Sequence, residues 1–285
     1  MRLASAWVAG RPTVSDLKSL LLHFDGTTQS LARLQWTRHL ASVHEAQLTV
    51  LYAVTPATLR FPATYAMEAG FGPSLADFDQ ELQAQARQSF EDAPAHGAPT
   101  GRWVEGLGIA EHSTTQVAWY HDLMVLGQSS PPTHEAGGVD RDFVPNVVID
   151  SGRPALVVPY IGAPPTWGQQ VVVAWKPCRE SARAVTASLP ILRKAQGVTV
   201  VHFGDGATQG LMDYLAAHGV RAVLRRLPLP QEDVLGDLLL SQASDWSADM
   251  LVTGCFGHSR AREWILGGVT RTLLRSMTLP VLMAH

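Results

Sequence analysis

Short apolar runs of strand length alternate with amphipathic stretches along most of the chain. The last unit shows the pattern most clearly. Residues 250–253 form an apolar run, and residues 269–277 carry apolar side chains at helical spacing. Pro280 ends that helix, and residues 281–283 form another apolar run. We therefore predict a strand, a glycine-containing loop, a helix and a buried terminal strand, in this order.

The same succession of elements occurs twice in the chain. Residues 19–34 and residues 170–185 each combine an apolar strand, a polar turn and the start of an amphipathic helix. Further along, HDLMVLGQ at residues 121–128 matches ADMLVTGC at residues 248–255. Apolar runs that alternate with helical patterns predict a parallel sheet covered by helices on both faces. The expected fold is α/β, with two tandem doubly wound domains, each an open five-stranded parallel sheet.

The domains are predicted at residues 1–161 and 162–285, because the GAPPT segment at the start of the second range contains breakers and lacks periodicity. The first half is longer than the second. We assign its extra residues to residues 55–78, which are rich in Pro, Gly and aromatic side chains, and expect a loop or lid with a short helix there. Residues 80–91 then predict a helix, and residues 101–106 predict the third strand.

Composition narrows the class of protein. The chain has 285 residues, of which 46% are hydrophobic and 16% charged, with a formal net charge of −3. This charge gives no electrostatic reason to expect nucleic acid as a partner, and no apolar run approaches the roughly 18 residues of a membrane span. The N-terminus lacks the apolar core of a secretory signal. We expect a soluble, cytoplasmic protein.

The chain has two cysteines, Cys178 and Cys255. Two cysteines cannot form a disulfide framework and fit a reducing compartment. Each follows a strand of the second half, and these strands are expected to be neighbours, so both thiols are expected near one edge of the sheet. Two unrelated free thiols and a redox pair remain open, because a disulfide needs matched geometry as well as proximity.

Three glycines after the strand at residues 250–253 are the strongest candidates for a binding site. Gly254, Gly257 and Gly267 follow the spacing G-x2-G-x9-G. Glycine lets the backbone approach a ligand closely, and the helix that begins beyond the loop offers unpaired N–H groups to a phosphate. In a doubly wound sheet, ligands bind beyond the carboxyl ends of the strands. The pattern therefore predicts phosphate binding at this end of the second sheet.

The ending from residue 249 to residue 285 resembles the nucleotide-binding motif of the universal stress protein family. The resemblance extends over both halves, from about Ser19 to His285. It implies a stress-response protein that binds an adenine nucleotide (ATP, ADP or AMP), with or without Mg2+. Family members usually dimerise, often by pairing their last strands. A tandem chain would pair them internally, with residues 157–158 meeting residues 282–283, and a further homodimer stays open.

The resemblance also assigns the nucleotide contacts to positions of the second half. The indole of Trp175 or the ring of Phe203 would cover the base, although core packing is the alternative for both. Two positions depart from the family pattern: Lys176 stands where an Asp is usual, and Gly268 where Ser or Thr is usual. The assigned positions are Ala174, Trp175, Lys176, Phe203, Thr253, Gly254, Gly257, His258, Ser259, Gly267, Gly268, Val269 and Thr270.

The first half keeps Asp25 at the end of its first strand but has lost the glycine spacing. After Gly127, Ser130 takes the place of the second glycine and Arg141 that of the last. We expect the first half not to bind nucleotide and to cover the edge strand of the second half, which would otherwise be open to pairing.

Catalytic and metal motifs are absent from the sequence. There is no G-x-S-x-G elbow or G-x-x-x-x-G-K-[ST] loop, and none of the 11 histidines forms an H-x-x-x-H or H-E-x-x-H motif. No catalytic residue and no metal ligand is therefore assigned. A nucleotide-binding stress protein is the leading hypothesis. A slow ATP hydrolase and a ligand-free structural or interaction module are the alternatives.

Overall fold

The computed structural model describes residues 17–60, 72–129, 139, 142–162, 167–231, 233–256 and 268–285. Within these ranges the chain forms ten strands and nine helices. The strands are β1 Ser19–Phe24, β2 Gln47–Tyr52, β3 Arg102–Glu105, β4 Leu123–Gly127, β5 Ala155–Val158, β6 Gln170–Ala174, β7 Gly197–Phe203, β8 Ala222–Leu227, β9 Met250–Gly254 and β10 Val281–Ala284. The helices are α1 Thr28–His44, α2 Ala57–Arg60, α3 Gly72–Asp92, α4 Ala110–Ala118, α5 Phe143–Ser151, α6 Arg179–Leu192, α7 Gln209–Ala217, α8 Leu235–Asp245 and α9 Gly268–Ser276.

All ten strands form one continuous sheet in the order β3-β2-β1-β4-β5-β10-β9-β6-β7-β8. Every neighbouring pair is parallel except β5 and β10, which pair antiparallel. The sheet therefore consists of two five-stranded parallel halves with the same internal order, related by an approximate twofold at the β5–β10 junction. The predicted tandem α/β fold is confirmed.

The junction joins the last strand of each half, as predicted. Val281 pairs with Val157 and Leu282 with Leu156, and all four side chains are fully buried. The predicted register was wrong by two residues, because it placed residues 157–158 opposite residues 282–283. Pairing with β5 covers the edge of β10 that would otherwise present unpaired backbone groups.

Apolar side chains alternate between the two faces of the sheet and form two cores. On one face, α1, α3, α6 and α7 pack against residues such as Leu22 and Leu156. On the other face, α4, α5, α8 and α9 pack against residues such as Leu21 and Val157. Each core contains strand residues from both halves, so burial is continuous across the junction. No helix among the described residues is long and apolar enough to cross a membrane.

The insertion in the first half is more helical than its composition suggested. The predicted helix at residues 80–91 starts earlier, since α3 spans Gly72–Asp92. Pro73 suits the first turn of a helix, where a backbone N–H has no helical partner in any case. The short α2 lies at Ala57–Arg60, and residues 61–71 lie outside the described ranges, as do residues 163–166 of the predicted GAPPT linker.

Candidate functional site

The strand ends that carry the predicted ligand contacts lie side by side. Ala174, at the end of β6, pairs with Thr253 of β9 on one side and with Val201 of β7 on the other. The backbone N–H of Trp175 continues this pairing and donates to the Val201 carbonyl at 2.9 Å. The structure therefore brings Ala174, Trp175 and Thr253 together at the carboxyl edge of the second half, with the end of β7 beside them.

The two candidate aromatic rings pack against different cores. Trp175 packs against the core that contains α6 and α7, and its Nε1 is buried without a hydrogen-bond partner among the described residues. Phe203 packs against the opposite core. The Trp175 carbonyl accepts a hydrogen bond from His202 Nδ1 at 2.9 Å. Both rings are partly buried, so each contributes to core packing, as the alternative interpretation expects.

Lys176 is exposed at the position that holds Asp25 in the first half. Its ammonium therefore lies at the solvent side of the strand ends rather than within the core. An exposed cation at this edge is compatible with an anionic ligand, but it cannot accept the hydrogen bonds that a carboxylate would accept from a ribose.

Gly254 marks a close approach between β9 and the first turn of α6. A Cβ added at Gly254 would lie 2.5 Å from the backbone nitrogen of Ser181 and 2.7 Å from the carbonyl carbon of Glu180. These are backbone atoms that cannot rotate away, so packing alone requires glycine here. The sequence-based interpretation assigned this glycine to ligand approach, and the structure adds a cause that operates without any ligand.

Glu180 is a buried charge that sequence reasoning did not assign to the site. Its side chain is only 4% exposed and accepts a hydrogen bond from Arg179 Nε. Burial raises the pKa of Glu180, but hydrogen bonds from Arg179, its own backbone and Cys178 outweigh burial and lower the pKa overall. The group is therefore an ionised carboxylate at the edge where the phosphate was predicted.

Both cysteines are free thiols at this end of the sheet. Cys178 is the N-cap residue of α6, and its thiol donates to Ser181 Oγ at 3.3 Å. Cys255 is buried, and burial together with the nearby charge of Glu180 raises the pKa of its thiol well above the usual range. A protonated, buried thiol is a poor nucleophile, so Cys255 acts as an apolar side chain.

The glycine motif continues into α9. Gly268 begins this helix, is exposed, and would place an added Cβ where nothing lies within 4 Å. Thr270 is buried and Val269 is partly buried. Four assigned contacts lie outside the described residues: Gly257, His258, Ser259 and Gly267.

In the first half, the corresponding edge is occupied by Arg33. This side chain is 6% exposed, and its Nη2 donates to the His23 carbonyl at 3.2 Å and lies 4.0 Å from Asp25 Oδ1. The guanidinium lies directly over Gly127, where it leaves no room for a Cβ. Asp25 is also engaged by Thr27, whose Oγ1 donates to it at 2.6 Å. Asp25 stands where the family resemblance implies a contact with the nucleoside, and its carboxylate already interacts with Arg33 and Thr27.

The remaining space at this edge is small. A cavity of about 40 Å3 is bordered by His23, Asp25, Arg33, Gln128 and Tyr160, among others. A single water needs about 10–15 Å3 by this measure, so the cavity has room for a few waters, and it is far below the roughly 300 Å3 of a small-molecule pocket. Ser130 and Arg141, which suggested the loss of the first glycine loop, lie outside the described residues. Sequence reasoning missed Arg33, although comparing it with Ala184 in the aligned repeat could have revealed it.

The buried polar groups of this edge have shifted pKa values. Burial lowers the pKa of His23 to about 4, with a further contribution from the positive charge of Arg33. The His23 ring is therefore neutral at pH 7 and donates its Nε2 hydrogen to the Ala53 carbonyl, 2.8 Å away. Burial raises the pKa of Asp25, but the positive charge of Arg33 and the hydrogen bonds from Thr27 lower it by a larger amount, so Asp25 is ionised.

Comparisons with known proteins agree with this architecture. Residues 234–285 match the model of the universal stress protein family. No curated protein matches the chain. The crystal structure of a universal stress protein from Archaeoglobus fulgidus DSM 4304 is 16% identical, covers 93% of this chain and 97% of its own, and has a TM-score of 0.68. A functionally unknown protein from Pseudomonas aeruginosa PAO1 is also 16% identical, covers 93% and 92%, and has a TM-score of 0.55. At this level of identity, the likeness establishes the fold over nearly the whole chain.

Proposed function

We propose that this chain, whose residues 234–285 belong to the universal stress protein family, binds one adenine nucleotide at the carboxyl edge of its second half. The ligand is ATP, ADP or AMP, and the first half binds none. The biological role that follows is that of a nucleotide-responsive stress protein.

One contrast between the halves supports the proposal most strongly. Arg33 is the sixth residue of α1, and Ala184 is the sixth residue of α6, so the two occupy matched positions in the repeat. In the first half, the guanidinium fills the space over Gly127. In the second half, the matched residue is Ala184, whose side chain is a methyl group, and the atoms nearest to an added Cβ at Gly254 belong instead to Glu180 and Ser181 of α6.

The groups of the second half suggest how a nucleotide would be held. The N–H groups at the start of α9, from Gly268 to Thr270, and the positive end of its helix dipole suit phosphate oxygens. Lys176 adds an exposed positive charge at the same edge. We propose Mg2+ only as an ion that binds together with ATP. The described residues include no group of three His, Cys, Asp or Glu side chains that could hold a metal.

A ligand-free structural module is the second candidate, and Glu180 favours it. An ionised carboxylate that is only 4% exposed at this edge repels a phosphate unless Arg179 or a cation offsets it. Lys176 and Gly268 also replace the polar contacts that the family resemblance implies. This candidate predicts that the purified protein has no measurable affinity for any adenine nucleotide.

Calorimetric titration with ATP on two matched variants tests the proposal. Gly257→Val alters the middle glycine of the motif, and a Val side chain there would both occupy space and restrict the backbone. Gly210→Val, in α7, is the control, because an added Cβ at Gly210 meets nothing within 4 Å. We expect Gly257→Val to lose at least about tenfold in affinity, which is about 1.4 kcal/mol, and Gly210→Val to bind like the wild type.

Stability measured without ligand separates binding from folding. We expect the unfolding free energy of Gly257→Val to change less than its affinity, because loop residues at strand ends carry little core packing. That of Gly210→Val should also change little, because an added Cβ there meets nothing within 4 Å. Wild-type affinity retained by a folded Gly257→Val variant would contradict the placement of the phosphates. ATP turnover at about 1 s−1 or faster, the ordinary enzyme range, would instead favour the hydrolase alternative.

A further inference from the structure

The side chain of Gln128, in the first half, makes three hydrogen bonds, of which two connect it to the second half. Its side chain is buried, and its Nε2 donates to the carbonyls of Leu274 at 2.9 Å and Arg275 at 3.1 Å. Its Oε1 accepts from the backbone N–H of Tyr160 at 3.0 Å. Both partners of Nε2 are carbonyl acceptors, and the partner of Oε1 is an N–H donor. These three bonds therefore fix the orientation of the Gln128 amide.

The two carbonyls belong to the last turn of α9. The last four carbonyls of a helix have no partner within the helix and need an external donor. Here the donor comes from a residue 146 positions earlier in the chain. The first half therefore caps the very helix that completes the glycine motif of the second half.

The two ends of α9 lie at opposite ends of the strands. The chain leaves β9 at its carboxyl end and enters β10, which is parallel to β9, at its amino end. Helix α9 must therefore start near the predicted phosphate site and end near the junction with β5. Because β5 and β10 are antiparallel, the amino end of β10 lies beside the carboxyl end of β5. The parallel strand β4 also ends there, so Gln128, which follows β4, lies near the end of α9.

Capping one end of a short helix constrains the other end. At a rise of 1.5 Å per residue, the nine residues of α9 span about 13 Å, which is short enough to move as a rigid rod. Along its side, α9 packs closely on α8, where a Cβ at Gly236 would lie 2.7 Å from the Cβ of Thr272. The tilt of α9 is thus set by α8 and by Gln128 together.

We propose that Gln128 is a positioning residue for the nucleotide site, through which the first half sets the orientation of the N–H groups at Gly268–Thr270. This rests on the proposed function of the second half. The repeat differs between its halves at this position. Gln128 follows Gly127 as Cys255 follows Gly254, and a buried thiol cannot donate two strong hydrogen bonds. The first half has a supporting role beyond covering an edge strand.

Replacing Gln128 with Met tests the inference, because Met keeps the length of the side chain and removes all three hydrogen bonds. Gln85→Met is the matched control, since Gln85 is exposed and its side chain donates to Glu81 of the same helix at 3.2 Å. ATP affinity by calorimetry and melting temperature are measured for both variants and the wild type. We expect Gln128→Met to lose at least about threefold in affinity, while Gln85→Met binds like the wild type.

The outcomes separate this inference from the proposed function. If the wild type binds ATP and folded Gln128→Met binds it equally well, Gln128 is only structural and the inference is wrong, whatever happens to the melting temperature. If the wild type binds no adenine nucleotide, the proposed function fails and the inference fails with it. If Gln128→Met does not fold, Gln128→Asn, which keeps the amide but shortens its reach, is judged by the same affinity criterion.

Discussion

The guanidinium of Arg33 lies over Gly127 and makes an ion pair with the carboxylate of Asp25 at 4.0 Å. Both side chains are nearly buried, at 6% and 10% exposed. Removing one member of a buried pair leaves the other charge without compensation, at a cost of about 3–5 kcal/mol. We expect Arg33→Ala to lose this much unfolding free energy at pH 7, measured by urea denaturation.

The double variant Arg33→Met with Asp25→Asn is the control for that prediction. Removing both charges leaves no isolated buried ion, so the double variant should be clearly more stable than Arg33→Ala. A loss of less than about 1 kcal/mol in Arg33→Ala would mean that the pair behaves like an exposed one. The conclusion that Arg33 and Asp25 form a buried pair at the strand ends of the first half would then be wrong.

His23 makes stability depend on pH. Its pKa is lowered to about 4 in the folded state, mainly by burial, and is about 6.5 in an unfolded chain. Between these values the unfolded state binds a proton that the folded state does not, so stability is lost as pH falls from 6.5 to 4. The contribution of His23 is about 3 kcal/mol, at 1.36 kcal/mol per pKa unit.

Unfolding free energies at pH 7 and pH 4.5 for wild type and His23→Gln test this. Gln keeps an N–H that can donate to the Ala53 carbonyl but does not titrate. The wild type should lose more stability than the variant over this interval. Equal losses would show that His23 is protonated in the folded protein, contrary to its burial.

Gly254 should be intolerant of any side chain even without ligand. The Cβ of Gly254→Ala would meet backbone atoms of Glu180 and Ser181 at 2.7 and 2.5 Å, respectively. Overpacking of this kind costs about 1–3 kcal/mol. Gly210→Ala, in the first turn of α7 where a Cβ meets nothing within 4 Å, should keep the wild-type stability or gain up to about 1 kcal/mol. Thermal unfolding of nucleotide-free protein compares the two, and similar stabilities would contradict the close approach of β9 and α6.

Gly268 offers a gain of function. Gly268→Ser restores the hydroxyl that the family resemblance implies, and Gly268→Ala is its matched control, since neither Cβ meets an atom within 4 Å. Both variants lose glycine flexibility in the unfolded chain and should gain about 0.4–1 kcal/mol in stability. Only Gly268→Ser should also bind ATP more tightly, by about threefold or more, in a calorimetric titration. Equal affinities for the two variants would place the phosphates away from the start of α9.

The architecture was predictable from the sequence because the hydrophobic pattern repeats in both halves. The pairing of β5 with β10 was predicted correctly, but its register was not. A shift of two residues leaves every strand side chain on the same face, so the hydrophobic pattern cannot distinguish the two registers. The early start of α3 was missed because the Gly and Pro residues around Gly72 suggested a loop.

The candidate site was less predictable than the fold. The placement of Ala174, Trp175 and Thr253 at neighbouring strand ends followed from the predicted strand order, and their assignment as nucleotide contacts came from the family resemblance. Arg33 and Glu180 were not identified, because local periodicity does not show which helical side chains pack over the end of a neighbouring strand. Gly254 illustrates the same limit, since a glycine at a strand end can serve a ligand, a neighbouring helix or both.

Titration of nucleotide-stripped wild-type protein with ATP is the most direct test of the central claim. Arg33 and its small cavity occupy the first-half edge, while α6 has Ala184 at the matched position. The predicted stoichiometry is therefore one ATP per chain. A stoichiometry of two would contradict the closure of the first half, and no measurable binding would contradict the nucleotide site itself.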